Sequence, residues 1–471
     1  MRKTKIICTI GPASADEAIL TQMCLNGMDV ARLNCSHGTH AEHKQKIDLI
    51  KKVREKLGLP IAIMLDTKGP EYRIKTFENK KILLKEGDTF TFTGEDVVGN
   101  QEMVSVSYKR LAKDLKVGDT ITVNNGLVGF VVEAIEGPRV ICRVTVGGEL
   151  SDRKSMSFPN RVLAQEYLSK QDKEDLLFGI ENDVDFVAAS FVSTKDDVSK
   201  LRNFLNDNGG WNISIIAKIE NRAGVDNVEE ICEIANGIMV ARGDLGVEIP
   251  FVEVPSVQKA LIQKCRLLGK RVVTATEMLE SMIHNIRPTR AEISDVANAV
   301  YDGTSAIMLS GETAAGKYPA EAVKNMADIA EFTEKGIDYC KWFNTAEFKI
   351  QNNLDAISHS VCSMAMDVHA KCIVVNSISG TTARMVSRFR GPVDIMGITT
   401  NEKAWRQLNM SWGVQPVLSR AYPTLDVVFY NGLQLATEKF HLQKGDNVVL
   451  TGGLINGTSG NTNTIKVEVI E

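Results

Sequence analysis

The chain has 471 residues, 44% of them hydrophobic and 24% charged, with a formal net charge of −4 and a pI near 6.1. This length predicts roughly three domains, and the slightly acidic balance excludes the overall basic surface of a nucleic-acid-binding protein. The nine cysteines show no Cys-x-x-Cys spacing and are odd in number. We therefore expect reduced thiols rather than a disulfide framework or a zinc site.

No part of the chain has the pattern of a targeting or membrane segment. The apolar run near the amino terminus covers only 6–10 before Gly11 and Pro12, which is too short for a signal peptide. No stretch approaches the ~18 apolar residues of a membrane span. We expect a cytoplasmic protein that binds neither a membrane nor nucleic acid.

Eight short apolar runs, each followed by helical periodicity, organise most of the chain. The predicted strands are TKIICTI, MDVARLN, IAIMLD, DFVAASF, ISIIAKIE, GIMVARGD, RVVTAT and AIMLSGE. The predicted helices cover 16–26, 40–57, 170–180, 195–206, 223–235, 252–268, 289–301 and 319–334. Eight strand-helix units imply an α/β fold of the closed (β/α)8 type, the TIM barrel, over 1–69 and 168–345.

The third repeat is interrupted by a segment, 70–167, with a different pattern. It consists of short β-rich runs separated by turns, such as KKILLKEGDTFTFTG and GDTITVNNGLVGFVVEAIEG, which predicts a small β-barrel domain. Because this insert leaves from the carboxyl end of a barrel strand, it would lie over the face that carries active sites in such barrels. We interpret it as a lid, with a rigid decoration as the alternative.

The last segment, 346–471, alternates helices and strands. Its apolar runs are CIVVNS, DIMGITT, GVQPVL, NVVLTGG and TIKVEVI. This alternation predicts a separate, doubly wound α/β domain at the carboxyl terminus.

Polar side chains end most of the predicted barrel strands. Lys218 and Glu220 lie two residues apart, so they share one face of an extended strand, and Arg242 and Asp244 end the next strand. Any single pair could be an ion pair at the barrel rim, but the repetition on several strands favours an active site. The full set is Arg32, Asn34, Ser36, His37, Asp66, Thr67, Lys68, Lys218, Glu220, Arg242, Asp244, Thr276, Glu277, Ser310 and Glu312.

Two carboxylates in this set suit a metal ion. Glu220 and Asp244 offer oxygen ligands from adjacent strands, as Mg²⁺ or Mn²⁺ requires when water and substrate oxygens complete the shell. Arg32 and Lys218 are suited to bind a phosphoryl group, because a planar guanidinium can donate two parallel hydrogen bonds to its oxygens and an ammonium supplies a compact positive charge. A metal ion with two cations therefore indicates a phosphorylated acid as substrate.

Long motifs in colinear order resemble the pyruvate kinase family along the whole chain. They include ARLNCSHG (31–38), LDTKGPEYR (65–73), AKIEN (217–221), MVARGDLGVEI (239–249), TATEMLESM (274–282) and IMLSGETAAGKYP (307–319). The resemblance implies transfer of the phosphoryl group of phosphoenolpyruvate to ADP, giving pyruvate and ATP, in a glycolytic, cytoplasmic homotetramer. It also implies Mg²⁺ (or Mn²⁺) and K⁺ as cofactors.

The same resemblance assigns roles residue by residue. The catalytic residues would be Lys218, which stabilises the phosphoryl group in flight, Thr276, which passes a proton by way of water, and Arg32. Arg32, Gly243, Asp244 and Thr276 would bind the substrate, and Asn34, His37, Arg73 and Lys154 the nucleotide. Glu220 and Asp244 would bind Mg²⁺, and Asn34, Ser36, Asp66 and Thr67 would bind K⁺. Glu71 occupies the position of this motif at which family members with Glu resemble the potassium-dependent class and members with Lys the potassium-independent class.

An allosteric site is implied in the carboxyl-terminal domain. The motif SISGTTAR (377–384) resembles the family's sugar-phosphate effector site, with Ser377, Ser379, Gly380, Thr381 and Thr382 as ligands and the loop 451–464 facing them. A hydroxyl-rich turn that opens a helix suits a phosphate, although the same hydroxyls could only cap the helix. The effector would be a sugar phosphate or AMP, or there would be none.

Several residues depart from the family's usual motifs. Asn124 and Asn125 replace lid carboxylates, Ser155 and Ser157 stand beside Lys154, and Ser193 and Thr194 replace two basic residues after the fourth strand. Glu277 replaces a Gln next to Thr276, and an added anion near a carboxylate-binding position should raise the substrate KM. Two other functions stay open: a metal-dependent barrel lyase or aldolase acting on a pyruvate enolate, and a non-catalytic sugar-phosphate sensor.

Overall fold

The first part of the chain begins a parallel barrel. The computed structural model describes residues 1–159, 161, 163–453 and 462–471. The first elements are β1 (Lys5–Thr9), α1 (Glu17–Leu25), β2 (Val30–Asn34), α2 (His40–Leu57) and β3 (Ala62–Asp66). Helix α2 has the predicted bounds because Thr39 and Glu42 form a capping box at its start and Gly58, with φ of 64°, ends it.

The insert after β3 is an all-β unit with its own hydrophobic core. Its elements are β4 (Tyr72–Arg73), β5 (Lys81–Leu84), β6 (Thr89–Thr93), β7 (Met103–Ser105), α3 (Leu111–Asp114), β8 (Thr120–Val123), β9 (Val128–Glu136), β10 (Arg139–Val146), β11 (Gly148–Ser151) and β12 (Ser155–Ser157). Seven strands follow the order β4-β12-β8-β9-β10-β6-β7, and β11 pairs with β5. An antiparallel bridge between Ile74 and Val106 joins the two ends of the seven-stranded order, as the predicted small β-barrel requires.

The chain then completes the larger barrel. The elements are α4 (Lys170–Glu181), β13 (Phe186–Ala189), α5 (Lys195–Asp207), β14 (Ser214–Ile219), α6 (Arg222–Asp226), α7 (Val228–Ile234), β15 (Gly237–Ala241), α8 (Arg242–Glu248), α9 (Val254–Leu268), β16 (Arg271–Ala275), α10 (Arg290–Asp302), β17 (Ala306–Leu309), α11 (Gly311–Ala314), α12 (Pro319–Glu334) and α13 (Tyr339–Thr345). Short 3₁₀ turns cover Phe251–Glu253 and Glu280–Ile283. The closed order β1-β17-β16-β15-β14-β13-β3-β2, with every ladder parallel, confirms the predicted barrel.

One predicted helix is wrong as a single element. The segment 223–235 forms two helices, α6 and α7, separated at Asn227. Asn227 donates from its side-chain amide to the Ser193 carbonyl at 3.0 Å. This bond holds Asn227, where the helix is interrupted, against the loop after β13. The spacing of apolar residues in the sequence does not predict the interruption.

The carboxyl-terminal part is an α/β unit built on one five-stranded sheet. Its elements are α14 (Asn353–Asp367), β18 (Cys372–Asn376), α15 (Thr381–Ser387), β19 (Asp394–Thr399), α16 (Glu402–Leu408), β20 (Val414–Leu418), α17 (Leu425–Phe440), β21 (Asn447–Gly453) and β22 (Thr462–Val469). The order is β20-β19-β18-β21-β22, with only β22 antiparallel. None of the helices described in the chain is long and apolar enough to cross a membrane.

The carboxyl-terminal unit packs against the base of the barrel. Met410 belongs to the same buried cluster as the side chains that fill the barrel interior. Arg406 donates to Asp185 and to Asp183, each at 2.7 Å, and Asp185 lies directly before β13. Asp185 is fully buried, so this pair fixes the carboxyl-terminal unit to the start of a barrel strand whose other end reaches the site described next.

Candidate active site

The predicted site residues gather at the carboxyl ends of the barrel strands. Strand pairing sets Asn34 of β2 opposite Asp66 of β3, and β14 delivers Lys218 and Glu220 beside β15. In a parallel barrel these strand ends share one rim. Three side chains from β2, β3 and β14, namely Arg32, Asp66 and Lys218, are joined there in one buried ionic network.

Lys218 is the hub of this network. Its ammonium lies 2.8 Å from Glu220 Oε1 and 3.3 Å from Asp66 Oδ1, and it donates to Ser190 Oγ at 2.7 Å. Burial alone would lower the pKa of Lys218, but the charges of Asp66 and Glu220 outweigh it and raise that pKa above its ordinary value. The side chain is therefore a permanently charged, fixed cation.

Asp66 ties the second cation, Arg32, to Lys218. Arg32 Nε donates to Asp66 Oδ2 at 2.7 Å, and another of its nitrogens donates to Thr9 Oγ1 at 2.8 Å. Burial raises the pKa of Asp66, yet the charges of Arg32 and Lys218 overcome it, so the net pKa is lowered. Asp66 stays ionised and holds both cations at the rim.

Glu220 is fully buried and lies beside a second carboxylate. Its Oε2 accepts a hydrogen bond from the Phe191 backbone at 2.5 Å. Burial raises the pKa of Glu220, the positive charge of Lys218 lowers it, and the negative charge of Asp244 raises it further. The net result is a pKa of about 7. A buried carboxylate next to another carboxylate is relieved by a cation between them, so the donor set fits a divalent metal ion.

Asp244 completes this pair from the first turn of α8 and is exposed. No group of three or more His, Cys, Asp or Glu side chains with metal-binding geometry occurs among the described residues. Mg²⁺ commonly takes only one or two carboxylates and keeps water and substrate oxygens as its other ligands. Two carboxylates such as Glu220 and Asp244 meet this requirement.

The loop after β16 has a strained backbone. Thr276 and Glu277 have φ of 69° and 55°, a region that a β-branched residue rarely adopts. Thr276 Oγ1 accepts from the Gly243 amide at 2.9 Å, and Arg242 donates to the Thr276 carbonyl at 2.5 Å while pairing with Asp295 at 2.8 Å. These bonds hold the Thr276 hydroxyl over the first turn of α8.

Two cavities open beside this network. One, of about 470 Å³, lies between barrel and insert and is lined by Arg73, Lys154 and Asp244. The other, of about 750 Å³, is lined by Arg32, Asn34 and His37. The residues predicted to bind nucleotide therefore fall into two groups, one on either side of the ionic network.

Within the first cavity, Arg73 forms an ion pair with Glu71 and donates to the Arg153 carbonyl at 2.7 Å. Lys68 lies 3.5 Å from Glu71. Glu71 is thus bonded to two cations of its own motif at the hinge of the insert.

The predicted K⁺ ligands lie on two adjacent loops. Thr67 accepts from the Ser190 amide at 3.3 Å and is buried with Asp66, whereas Ser36 is exposed and donates its amide to Asn34 Oδ1 at 3.0 Å. The structure brings Asn34 and Asp66 side by side. Among the described contacts, none links Ser36 to Asp66 or to Thr67.

Sequence reasoning missed four residues of this region. Ser190 and Phe191 bond to Lys218 and Glu220, but they end one of the two predicted strands, the first and the fourth, that carry no charged residue at their end. His43 is buried and lines the second cavity. Glu248 reaches the insert, where the Phe158 amide and the Ser157 side chain bond to it; burial raises its pKa to about 7 against these bonds. A search for residues next to strand ends would have found Ser190 alone.

The departures from the family pattern have local structural roles. Asn124 and Asn125 have φ of 59° and 55° in the β8–β9 hairpin, a conformation that Asn tolerates well, and Ser155 donates to Asn125 Oδ1 at 2.9 Å. Thr194 caps α5 through a capping box with Asp197, and Ser193 accepts from Asn221 at 3.0 Å. Glu277 is exposed and forms no ion pair with any cation in the described part of the chain.

The predicted effector residues open α15. Gly380 has φ of 73°, Ser379 and Thr381 hydroxyls lie 3.0 Å apart, and the Thr382 hydroxyl lies 2.6 Å from that of Thr462. The Ser377 amide donates to the Ile398 carbonyl at 2.9 Å. Residues 454–461 of the facing loop, like Asn160 and Val162 in the insert, lie outside the described residues.

Comparisons with known proteins agree with this architecture. Residues 1–323 match the family model of the pyruvate kinase barrel domain, and residues 355–468 match that of the pyruvate kinase alpha/beta domain. The chain is 48% identical to a pyruvate kinase of Clostridium acetobutylicum over 475 aligned residues, which cover all of both chains. It is 46% identical to a pyruvate kinase of Staphylococcus saprophyticus and 45% identical to one of Staphylococcus aureus, each over 473 residues covering all of this chain and 81% of the relative.

Proposed function

The chain belongs to the pyruvate kinase family, and from this premise we propose that the network of Arg32, Asp66, Lys218 and Glu220 is where it transfers the phosphoryl group of phosphoenolpyruvate to ADP. The family reaction gives pyruvate and ATP and depends on Mg²⁺ and K⁺. The observation that carries the proposal is the fixed position of the Lys218 ammonium, bonded at once to Ser190, Asp66 and Glu220.

In the first step the bond between phosphorus and the enol oxygen breaks, and a β-phosphate oxygen of ADP bonds to phosphorus. Such a transfer passes through a loose transition state and needs mainly positioning and charge stabilisation. Lys218 and Arg32 supply two positive charges that Asp66 holds in place. Because both side chains are already ordered by ionic bonds, they need no rearrangement when charge develops on the phosphoryl oxygens.

The chain's own residues would also hold the metal ions. Glu220 and Asp244 would bind Mg²⁺, which would supply positive charge for the oxygens that become more negative during the transfer. K⁺ would be held by Asn34, Ser36, Asp66 and Thr67. Glu220 must be ionised to act as a ligand, and its pKa near 7 leaves it partly protonated at neutral pH until a cation is present.

In the second step the enolate left behind takes a proton on its methylene carbon and becomes pyruvate. The Thr276 hydroxyl is held between the Gly243 amide and the Ala275 carbonyl, so it can orient a water molecule toward that carbon. Gly243, Asp244 and Thr276 would bind the substrate carboxylate on the same side. The protonation to the ketone makes the overall reaction strongly downhill.

The nucleotide would span both cavities of the site. His37 and Asn34 line one, and Arg73 and Lys154 line the other, where the insert can close over the phosphates. We propose further that the enzyme is cytoplasmic and tetrameric, and that the α15 turn at Ser377–Thr382 binds a phosphorylated effector, a sugar phosphate or AMP. Cell fractionation, mass measurement in solution and activity titrations with each compound test these three proposals in turn.

One coupled assay tests the proposed reaction. Pyruvate formation from phosphoenolpyruvate should require ADP, Mg²⁺ and K⁺ together, with ATP formed in equal amount. Pyruvate release without ADP would support a lyase instead, and that alternative is not favoured by the three relatives described above, each of which is named a pyruvate kinase. Failure of Arg32, Lys218 and Glu220 variants to lower this activity would move the reaction away from the network.

A further inference from the structure

One peptide group at the rim of the barrel is hydrogen-bonded on both of its sides. It joins Ser190 to Phe191 directly after β13, and we name it the rim peptide. Its N–H, which belongs to Phe191, donates to Glu220 Oε2 at 2.5 Å. Its carbonyl, which belongs to Ser190, accepts from the Tyr167 hydroxyl at 2.9 Å. The rim peptide therefore connects Tyr167 to a proposed ligand of Mg²⁺.

The rim peptide has an orientation that local backbone preferences do not favour. Phe191 has φ of 53°, which lies in the left-handed region where a bulky side chain costs free energy. This angle sets the plane of the rim peptide relative to the rest of Phe191. Because a peptide group is planar and rigid, a rotation that moves its carbonyl also moves its N–H. A bond to the Ser190 carbonyl therefore also fixes the direction of the N–H that reaches Glu220.

Tyr167 belongs to the connection that returns the chain from the insert to the barrel, between β12 and α4. Its side chain is buried, and burial raises the pKa of its hydroxyl well above the ordinary value. The hydroxyl therefore keeps its proton at neutral and moderately alkaline pH and remains a donor. In the described part of the chain, its one hydrogen bond is the bond to the Ser190 carbonyl.

The other connection of the insert packs against Ser190 as well. A Cβ atom at Gly69 would come within 2.9 Å of Ser190 Cβ and 3.0 Å of Ser190 O, so the backbone there lies very close to the rim peptide. Ser190 Oγ donates to the Thr67 carbonyl at 2.7 Å. Because Ser190 is 1% exposed, loss of the Tyr167 hydroxyl would leave a buried carbonyl without its described partner.

We propose that Tyr167 is a positioning residue for the metal site: its bond to the Ser190 carbonyl fixes the rim peptide, and the rim peptide fixes the carboxylate of Glu220. This inference rests on the proposed function, in which Glu220 and Asp244 would bind Mg²⁺. Removing a group that directly orients a metal ligand typically costs about 10–100-fold in metal affinity. Tyr167 acts one bond further away, so its hydroxyl should contribute about two- to tenfold, the range for one neutral hydrogen bond.

The test is the affinity of the full-length protein for Mn²⁺, measured by electron paramagnetic resonance without substrate or nucleotide. It compares wild type with Tyr167→Phe, which removes the hydroxyl and keeps the ring. Tyr108→Phe is the matched control, because Tyr108 is a buried tyrosine of the insert whose hydroxyl bonds to Asp114 instead. The measurement is made at pH 8.5, above the pKa of Glu220 of about 7, so that a change in affinity does not come from protonation of this carboxylate.

We expect Tyr167→Phe to bind Mn²⁺ about two- to tenfold more weakly than wild type, while Tyr108→Phe matches wild type. The Mg²⁺ concentration that gives half-maximal rate should rise by the same factor, whereas kcat at saturating Mg²⁺ should change less than about twofold, because bound metal restores the carboxylate orientation. Equal Mn²⁺ affinity in wild type and Tyr167→Phe would overturn the proposal, and so would an equal loss of affinity in both variants.

A second measurement needs neither metal nor activity. Hydrogen exchange followed by mass spectrometry should show faster exchange of the Phe191 amide in Tyr167→Phe and wild-type exchange in Tyr108→Phe; unchanged exchange in Tyr167→Phe would contradict the role of the rim peptide.

Glu220→Gln separates this inference from the proposed function. If Glu220→Gln binds Mn²⁺ as wild type does, the proposed metal site is wrong, and the inference falls with it. If Glu220→Gln loses Mn²⁺ binding while Tyr167→Phe binds as wild type does, the metal site stands and the role of Tyr167 is wrong.

Discussion

The ammonium of Lys218 lies 2.8 Å from a carboxylate oxygen of Glu220. The sequence places these residues on one face of a strand, and the structure adds that Asp66 and Ser190 bond to the same ammonium. Lys218 is therefore not a rim ion pair exposed to solvent, where such pairs contribute little. It is a buried cation bonded to three oxygen atoms, one of which belongs to the proposed metal ligand Glu220.

We expect Lys218→Met to lower kcat by a factor of about 10²–10³, the range that is typical for loss of one preorganised group that stabilises a transition state. Loss of the ammonium also lets the pKa of Glu220 rise above about 7, so Mn²⁺ binding should be measured at pH 8.5 by electron paramagnetic resonance, where it should persist. Lys52→Met, at an exposed pair with Glu17, is the control. Turnover within tenfold of wild type would contradict the assigned role.

Replacing K⁺ by Tris at constant ionic strength should lower kcat/KM roughly tenfold or more, because a fixed positive charge is then missing from the site. In Glu71→Lys the protein itself supplies a positive charge beside Lys68 and Arg73, so this variant should lose less activity without K⁺. Glu78→Lys, exposed in the same insert, should keep the wild-type dependence. Equal wild-type activity in both buffers would refute the potassium dependence.

Glu277→Gln should lower the KM for phosphoenolpyruvate, because it removes an anion beside Thr276. Since Glu277 is exposed, its repulsion is screened, and an effect of about 0.2–1 kcal/mol corresponds to at most about a fivefold change. The difference between variant and wild type should shrink as KCl is raised. An unchanged KM at low salt, with Glu174→Gln as control, would count against the effect.

Glu248 should make the contact between barrel and insert sensitive to pH. Its pKa in the folded protein is raised by burial to about 7, above the value in an unfolded chain, so the folded state binds the proton more tightly. Its contribution to stability is therefore full at low pH and is lost as pH rises from about 4.5 to about 7. Glu248→Gln should raise Tm at pH 8 relative to wild type, with a gain in the free energy of unfolding of at most about 3 kcal/mol, and leave Tm unchanged at pH 5. A variant equally stabilised at both pH values would refute this titration.

Arg406→Met should destabilise the protein by about 3–5 kcal/mol, because the buried Asp185 carboxylate then keeps only the more distant Arg54, at 4.0 Å, as a cation partner among the described residues. Burial already raises the pKa of Asp185 against the opposing charge of Arg406. Lys371→Met, which removes an exposed cation 3.9 Å from Asp446, should change stability by less than about 1 kcal/mol. Urea unfolding of both variants measures the difference. Equal midpoints would show that the packing of the carboxyl-terminal unit on the barrel does not depend on the pair of Arg406 and Asp185.

Local signals account for the parts of the fold that the sequence predicts well. Helix α2 begins and ends as expected because Thr39, Glu42 and Gly58 act within a few residues of the helix ends. The break at Asn227 is missed because its partner, the Ser193 carbonyl, lies 34 residues away in the chain. The division of the chain into domains at 69, 167 and 345 stays a prediction.

The sequence by itself determined the barrel, the insert and the charged strand ends. The hydrophobic periodicity, the helix caps and the turn residues that specify them act over a few neighbouring residues, and the motifs follow one another in order along the chain. It also determined which face Lys218 and Glu220 share, since alternation along a strand is fixed by backbone geometry. Only the tertiary structure decided that Ser190 and Phe191 bond to Lys218 and Glu220 and that Glu248 contacts the insert. It also decided that the Tyr167 hydroxyl bonds to the Ser190 carbonyl. Those relationships join side chains far apart in the chain, and their energies come from burial and from charges brought together by folding.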